Sequence, residues 1–232
     1  MPANIQHGDL SQPMKTNETQ WINDFVDVAI ANLVQIEANL RKLGYKFANA
    51  EGPIKLIPPN TNPGLAELRQ KYDQIPEFFS AWYDRVEFVD FSQDEDQLWE
   101  PSDHPVAGLG YNCMLTFDSL STRQDRQAMI MEEGRLKYET ANGREFVPFG
   151  AGASNNDPTG IWLPDSSSDP VIYNDGGGPI TMSYEISRSI RAGGFPFWEL
   201  MFRKRKVRFT LSSIPKYREI LPLLLEGVVD ML

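Results

Sequence analysis

The chain has 232 residues, 41% of them apolar, with a formal charge of −10 and a pI near 4.7. A chain of this length and apolar content buries roughly 70% of its unfolded surface without disulfides or metal, which excludes global disorder. Cys113 is the only cysteine, so no intrachain disulfide can form, and the acidic balance disfavours nucleic acid and anionic membranes while attracting basic partners.

In chain order, residues 1–16 are polar, aperiodic and punctuated by Pro2, Gly8 and Pro13, and are expected as a flexible N-terminal arm. No Arg/Lys-led apolar leader opens the sequence and no apolar run approaches roughly 18 residues, so a reducing cytoplasm is the expected address. Residues 17–232 are expected as one α+β domain with a mainly antiparallel sheet flanked by N-terminal and C-terminal helices. Asn17 with Gln20 resembles a capping box opening the first helix. Its stripe is Ile22, Val26, Ala29, Leu33, Ile36, Leu40 and Leu43, and Gly44 stops it. A coiled coil shares that stripe, but the extra Trp21, Phe25 and Val34 favour a buried core helix. Residues 45–63, with four prolines, are expected as an extended connector. A second helix follows, ending on an aromatic face of Ile75, Phe78, Phe79, Trp82, Tyr83 and Val86.

Short strands come next, expected near 86–91, 113–118, 127–132, 145–149, 159–163, 170–173 and 206–211. Turn residues separate them at Asn142–Gly143, Asn156–Asp157–Pro158 and Asp175–Gly178. These spacings leave no room for helical crossovers, so neighbouring strands should pair antiparallel. A helix over about 181–192, capped by Thr181, ends at Gly193–Gly194. The last helix carries Tyr217, Ile220, Leu221, Leu224, Leu225 and Val228, with Pro222 set to kink it or delay its start.

Chemistry-bearing patterns are sparse. His104 with Cys113 is the only Cys–His pair to consider, yet Tyr111, Cys113, Leu115 and Phe117 alternate as one strand face, making Cys113 a small core residue. Ser213-Ile-Pro-Lys216 matches S-x-x-K in letters, but Ser213 sits at a helix start as a cap. Asp94-Glu-Asp96 lacks the glycine and later glutamate of a calcium loop. Gly150-Ala-Gly152 leads into a turn, where a dinucleotide site needs a helix. No metal site and no cofactor are expected.

Two charge clusters stand out. Between residues 84 and 103, eight carboxylates (Asp84, Glu87, Asp90, Asp94, Glu95, Asp96, Glu100, Asp103) face Arg85 alone, with Trp99 among them. Carboxylates around an exposed aromatic suit a cationic partner, charge speeding the encounter and the ring anchoring it. The candidate partner-binding residues are therefore Asp94, Glu95, Asp96, Trp99, Glu100 and Asp103. A solvated loop with Trp99 folded onto the core is the open alternative. The second cluster is Arg203, Lys204, Arg205, Lys206 and Arg208. Setting those five aside takes the net −10 to −15, and Val207, Phe209 and Leu211 alternate with the charges. A protected edge strand or an intramolecular partner of the acidic stretch fits better than phosphate binding.

Three segments in order resemble the SUKH superfamily, which includes fungal cell-wall-synthesis regulators and bacterial immunity proteins. They are IPEFFSAWYDRVEFVDFS at 75–92, REFVPFGAGASNNDPTGIWLPDSSSDPVIY at 144–173 and SRSIRAGGFPFWE at 187–199. With the opening helix, the resemblance covers about residues 20–200. Departures are Glu87, Phe88 and Phe197 where glycines are common, and the chain after Phe202 has no counterpart. The resemblance implies an α+β fold, no cofactor, no catalytic residues and function through protein binding. The leading expectation is an immunity-type protein that neutralises a basic toxin domain, possessing no nucleic-acid or membrane partner. The alternatives are a regulatory or scaffold protein of the fungal type and an enzyme centred on His104. Gly150, Gly152, Asn156 and Asp157 are expected to serve turns, and Trp162 and Tyr173 to pack between sheet and helices.

Overall fold

The first helix, α1 (Gln12–Lys42), forms because its apolar residues recur at helical spacing with no breaker inside. Ile22, Val26, Ala29, Leu33, Ile36 and Leu40 are all at most 1% exposed. The computed structural model describes residues 12–98, 105, 106, 109, 116–122, 143–151, 158–172, 179–196 and 214–231. Two expectations for α1 need correcting. The helix starts at Gln12, so residues 12–16, expected in the arm, are helical and Asn17 lies inside α1. Pro13 does not prevent this, because an N–H missing from the first turn has no partner to lose. Gln20 Nε2 instead donates to Asp24 Oδ1, one turn on, at 2.7 Å. Trp21 and Val34, expected as core, are 46% and 45% exposed, since both lie off the stripe that faces inward. The C-terminus is a Schellman motif: Gly44 (φ 82°) donates to Arg41 O and Tyr45 N–H to Leu40 O, each at 3.0 Å.

The proline-rich connector contains a strand, β1 (Ile54–Leu56), which pairs antiparallel with β2 (Val86–Asp90). Pro53 and Pro58 lie just outside β1, where they cost no ladder bond. The second helix is two helices, α2 (Pro63–Lys71) and α3 (Glu77–Tyr83). Pro76 disfavours helical backbone at Ile75 and so separates them. Asn62 caps α2 by accepting from Leu65 N–H at 3.1 Å, and its Nδ2 ties the cap to Tyr83 O at 2.9 Å. The aromatic face is buried as expected, with Phe78, Phe79, Trp82 and Tyr83 at 0% exposure.

After α4 (Glu95–Leu98), β3 (Thr116–Phe117) pairs antiparallel with β2. The longest pair is β4 (Glu145–Ala151) with β5 (Pro158–Leu163), and β6 (Val171–Ile172) pairs with β7 (Ile180–Thr181); both are antiparallel. Asp118 N–H donates to Phe149 O at 2.6 Å, placing β3 against β4. Gly150 is required here for close approach and not for a positive φ: a Cβ would sit 2.9 Å from Thr116 O. The expected strands near 127–132 and 206–211, the Asn156–Pro158 turn apart from Pro158, and Asp175–Gly178 lie outside the described residues, as do Gly152 and Tyr173. Trp162 is half-buried and packs on its cross-strand partner Phe146, with centroids 5.4 Å apart.

Helix α5 (Met182–Arg191) opens on Thr181, whose Oγ1 accepts from Tyr184 N–H, and closes with a second Schellman motif at Gly193 and Gly194. Helix α6 (Ile214–Leu224) keeps Pro222 in its last turn. Tyr217 Oη donates to Ala192 O at 2.9 Å and so joins α6 to the end of α5. Between helices and sheet sits an aromatic core in which Phe79 and Tyr83 meet Phe149, Trp82 meets Phe117, and Phe117 stacks on Phe149 at 5.6 Å. The fold is α+β.

Candidate acidic interface

Most of the carboxylates between 84 and 94 serve the fold itself. Asp84 holds Arg69 of α2 in a bidentate pair, with N–O distances of 3.1 and 2.8 Å. Glu87 pairs across the sheet with Lys55 at 3.1 Å. Asp90 accepts from both the N–H and the hydroxyl of Ser92, turning the chain out of β2. Arg85, the one cation of the cluster, is bound to α1 through Asp27 at 2.8 Å and Asn23 at 2.5 Å. These four groups are committed within the molecule.

Asp94, Glu95 and Asp96 divide differently. Asp94 is half-buried, and its Oδ1 accepts from Gln97 N–H at 3.3 Å, placing it as the cap of α4. Glu95 and Asp96 occupy the first turn of α4, both exposed, and among the described residues neither makes an ion pair. Trp99, Glu100 and Asp103 lie outside the described residues, as do His104, Cys113, Ser213 and the basic run Arg203–Arg208.

Two glutamines that sequence patterns did not single out hold α4 in place. Gln97 is 1% exposed: its Oε1 accepts from Lys46 N–H at 2.7 Å and its Nε2 donates to Gly44 O at 2.7 Å. Gln93, 6% exposed, donates from Nε2 to Gln97 Oε1 at 3.0 Å and to Val106 O at 2.8 Å. The main chain of 46–48 also pairs antiparallel with 92–94. Buried amides bonded in this way favour one geometry. The available signal was the spacing Gln93–Gln97, one helical turn, beside the apolar Phe91.

A second polar cluster joins α2 to β4. Lys71 Nζ donates to Glu145 Oε2 at 2.5 Å, and Tyr72 Oη donates to the same oxygen. The hydrogen bond to Glu145 raises the Lys71 pKa above its ordinary 10.5, while burial, followed by the Glu145 hydrogen bond, raises that of Tyr72 above 10.0. Both groups hold their protons more tightly than in free chain, the opposite of what a nucleophile or base needs. Among the described residues no three His, Cys, Asp or Glu side chains group to hold a metal, and no helix is long and apolar enough to cross a membrane. Comparison with known proteins returns nothing against which to place this geometry: no family model, no curated protein and no solved structure matches the chain.

Proposed function

We propose that the chain is a protein-binding module of the immunity type, which neutralises a basic toxin domain by covering it. The observation that carries this is the pair Glu95 and Asp96, exposed and without an ion pair among the described residues, on a helix held in place by buried glutamines. A preformed anionic surface loses little entropy on binding and steers a cationic partner during encounter. The resemblance to the SUKH superfamily supports the same class of function, in a reducing cytoplasm.

The test starts by isolating the partner with the tagged chain and identifying it by mass spectrometry. Association is then followed at low and high salt with the unmodified chain and with the double reversal Glu95→Lys/Asp96→Lys. Asp94 is left intact because it caps α4. The expected result is an on-rate lower by about tenfold or more at low salt, converging at high salt. An unchanged on-rate removes this patch, and an acidic partner overturns the reading.

A further inference from the structure

One tryptophan reaches out of the aromatic core. Trp21 packs on Phe25 and Phe78, with ring centroids 5.5 and 6.4 Å away, and those two rings meet edge to face at 5.2 Å. Phe78 is fully buried and Phe25 is 9% exposed, so the platform beneath the indole belongs to the core. The indole itself is 46% exposed. It is an apolar ring held in place from below and open to solvent above.

Its flanks are anionic. At roughly 100° of helix per residue, Glu18 and Asp24 stand about 60° to either side of Trp21, one turn before it and one turn after. Both are exposed, and among the described residues neither makes an ion pair. Asp24 uses Oδ1 to accept from Gln20 Nε2 at 2.7 Å. The cation that does reach this stretch of α1, Arg85, is bound to Asn23 and Asp27, which the same spacing puts across the helix from Trp21.

We propose that Trp21, Glu18 and Asp24 form a docking point for an arginine side chain of a basic protein partner. Charge complementarity around a fixed aromatic face selects that occupant. A planar guanidinium lies on an indole with its N–H groups in the plane, where carboxylates on both sides accept them. An ammonium carries the same charge without the planar fork, so it cannot serve ring and both carboxylates together. A half-exposed tryptophan of set orientation is also the residue type that most often anchors a protein interface. From Trp21 to Gly44, where Gln97 attaches α4, the helix runs about 35 Å. This is a second surface. It shares with the α4 reading only the basic character of the partner, and either can fail alone.

The experiment follows the indole N–H resonance of Trp21 in the isotope-labelled full chain, identified by its loss in Trp21→Phe, or in Trp21→Tyr should the first variant not fold. Blocked tetra-arginine and tetralysine peptides are titrated separately at physiological ionic strength. The expected result is a saturable shift, with the arginine peptide half-saturating at about one third of the lysine concentration or less. Glu18→Gln/Asp24→Asn keeps the size and shape of both side chains and should raise the arginine value about threefold or more. Glu95→Lys/Asp96→Lys should leave it within about twofold, because that patch lies several Debye lengths away. A resonance that stays still overturns the proposal, as do equal half-saturation by the two peptides and indifference to the Glu18/Asp24 change. Loss of the shift in the Glu95/Asp96 variant also overturns it, since the arginine would then sit on α4. The comparison of the two peptides is made on the unmodified chain and decides even where a variant fails to fold.

Discussion

At the scale of single residues, the glycines separate two demands that one letter conceals. Gly194 has φ 90°, and a Cβ there would lie 2.6 Å from Phe91 Cε2 in a fully buried ring cluster. Gly143 has φ 76°, but a Cβ would meet nothing within 4 Å among the described residues. Gly194→Ala therefore adds overpacking to backbone strain and is expected to cost about 2–4 kcal/mol, whereas Gly143→Ala carries strain alone and costs about 1 kcal/mol. Urea unfolding with an unchanged slope measures both. Equal costs at the two positions would mean that the contact with Phe91 relaxes freely. Gly150 makes the same point from the other side: it lacks a positive φ, and the nearby Thr116 carbonyl alone excludes a side chain.

At the scale of elements, α4 is four residues long and owes its place to Gln97 more than to helix propensity, since so short a helix is unstable alone. Gln97→Ala strands Lys46 N–H and Gly44 O, and the expected loss is about 1–3 kcal/mol in urea unfolding, with faster exchange at the Lys46 amide. An unaltered Lys46 amide would show that water replaces the side chain without loss. What sequence made legible follows from length and period. The stripe of α1 repeats over many turns, and the aromatic face ending in α3 is dense enough to survive the break at Pro76, so both buried faces were readable. Both Schellman glycines were readable as helix stops. Strand β1 was not, because three residues between prolines carry no alternation and gain their strand only from β2. Of the candidate interface, the acidic composition was legible. The distinction between the paired carboxylates Asp84 and Glu87 and the pair Glu95 and Asp96, which make no ion pair among the described residues, was not, because the cations Arg69 and Lys55 are distant in sequence.

At the scale of the whole molecule, the cluster of Lys71, Tyr72 and Glu145 fastens the end of α2 to the first residue of β4, linking the helical half to the β4–β5 pair. Its contribution must depend on pH in one direction. Both Lys71 and Tyr72 have folded pKa values above their ordinary 10.5 and 10.0. The folded chain thus retains these two protons where the unfolded chain has begun to release them. Stability from the cluster is complete below about pH 10 and falls as pH rises through the folded values. Other lysines and tyrosines also titrate there, so the useful quantity is the difference between the unmodified chain and Tyr72→Phe. Phenylalanine keeps the ring against Lys71, whose Nζ lies 5.3 Å from the centroid, but has no proton to lose. Urea midpoints taken at pH 8, 9.5 and 11 should show the unmodified chain more stable than Y72F at the two lower values. The gap should narrow at pH 11, because deprotonated Tyr72 would face the Glu145 carboxylate at hydrogen-bonding distance. Ion pairs this exposed are worth little in isolation, so the gap itself is expected to be small, about 1 kcal/mol or less. Its narrowing with pH is the decisive feature, and a gap that widens toward pH 11 would mean that Tyr72 is more acidic in the fold than in free chain, reversing the role assigned to Glu145.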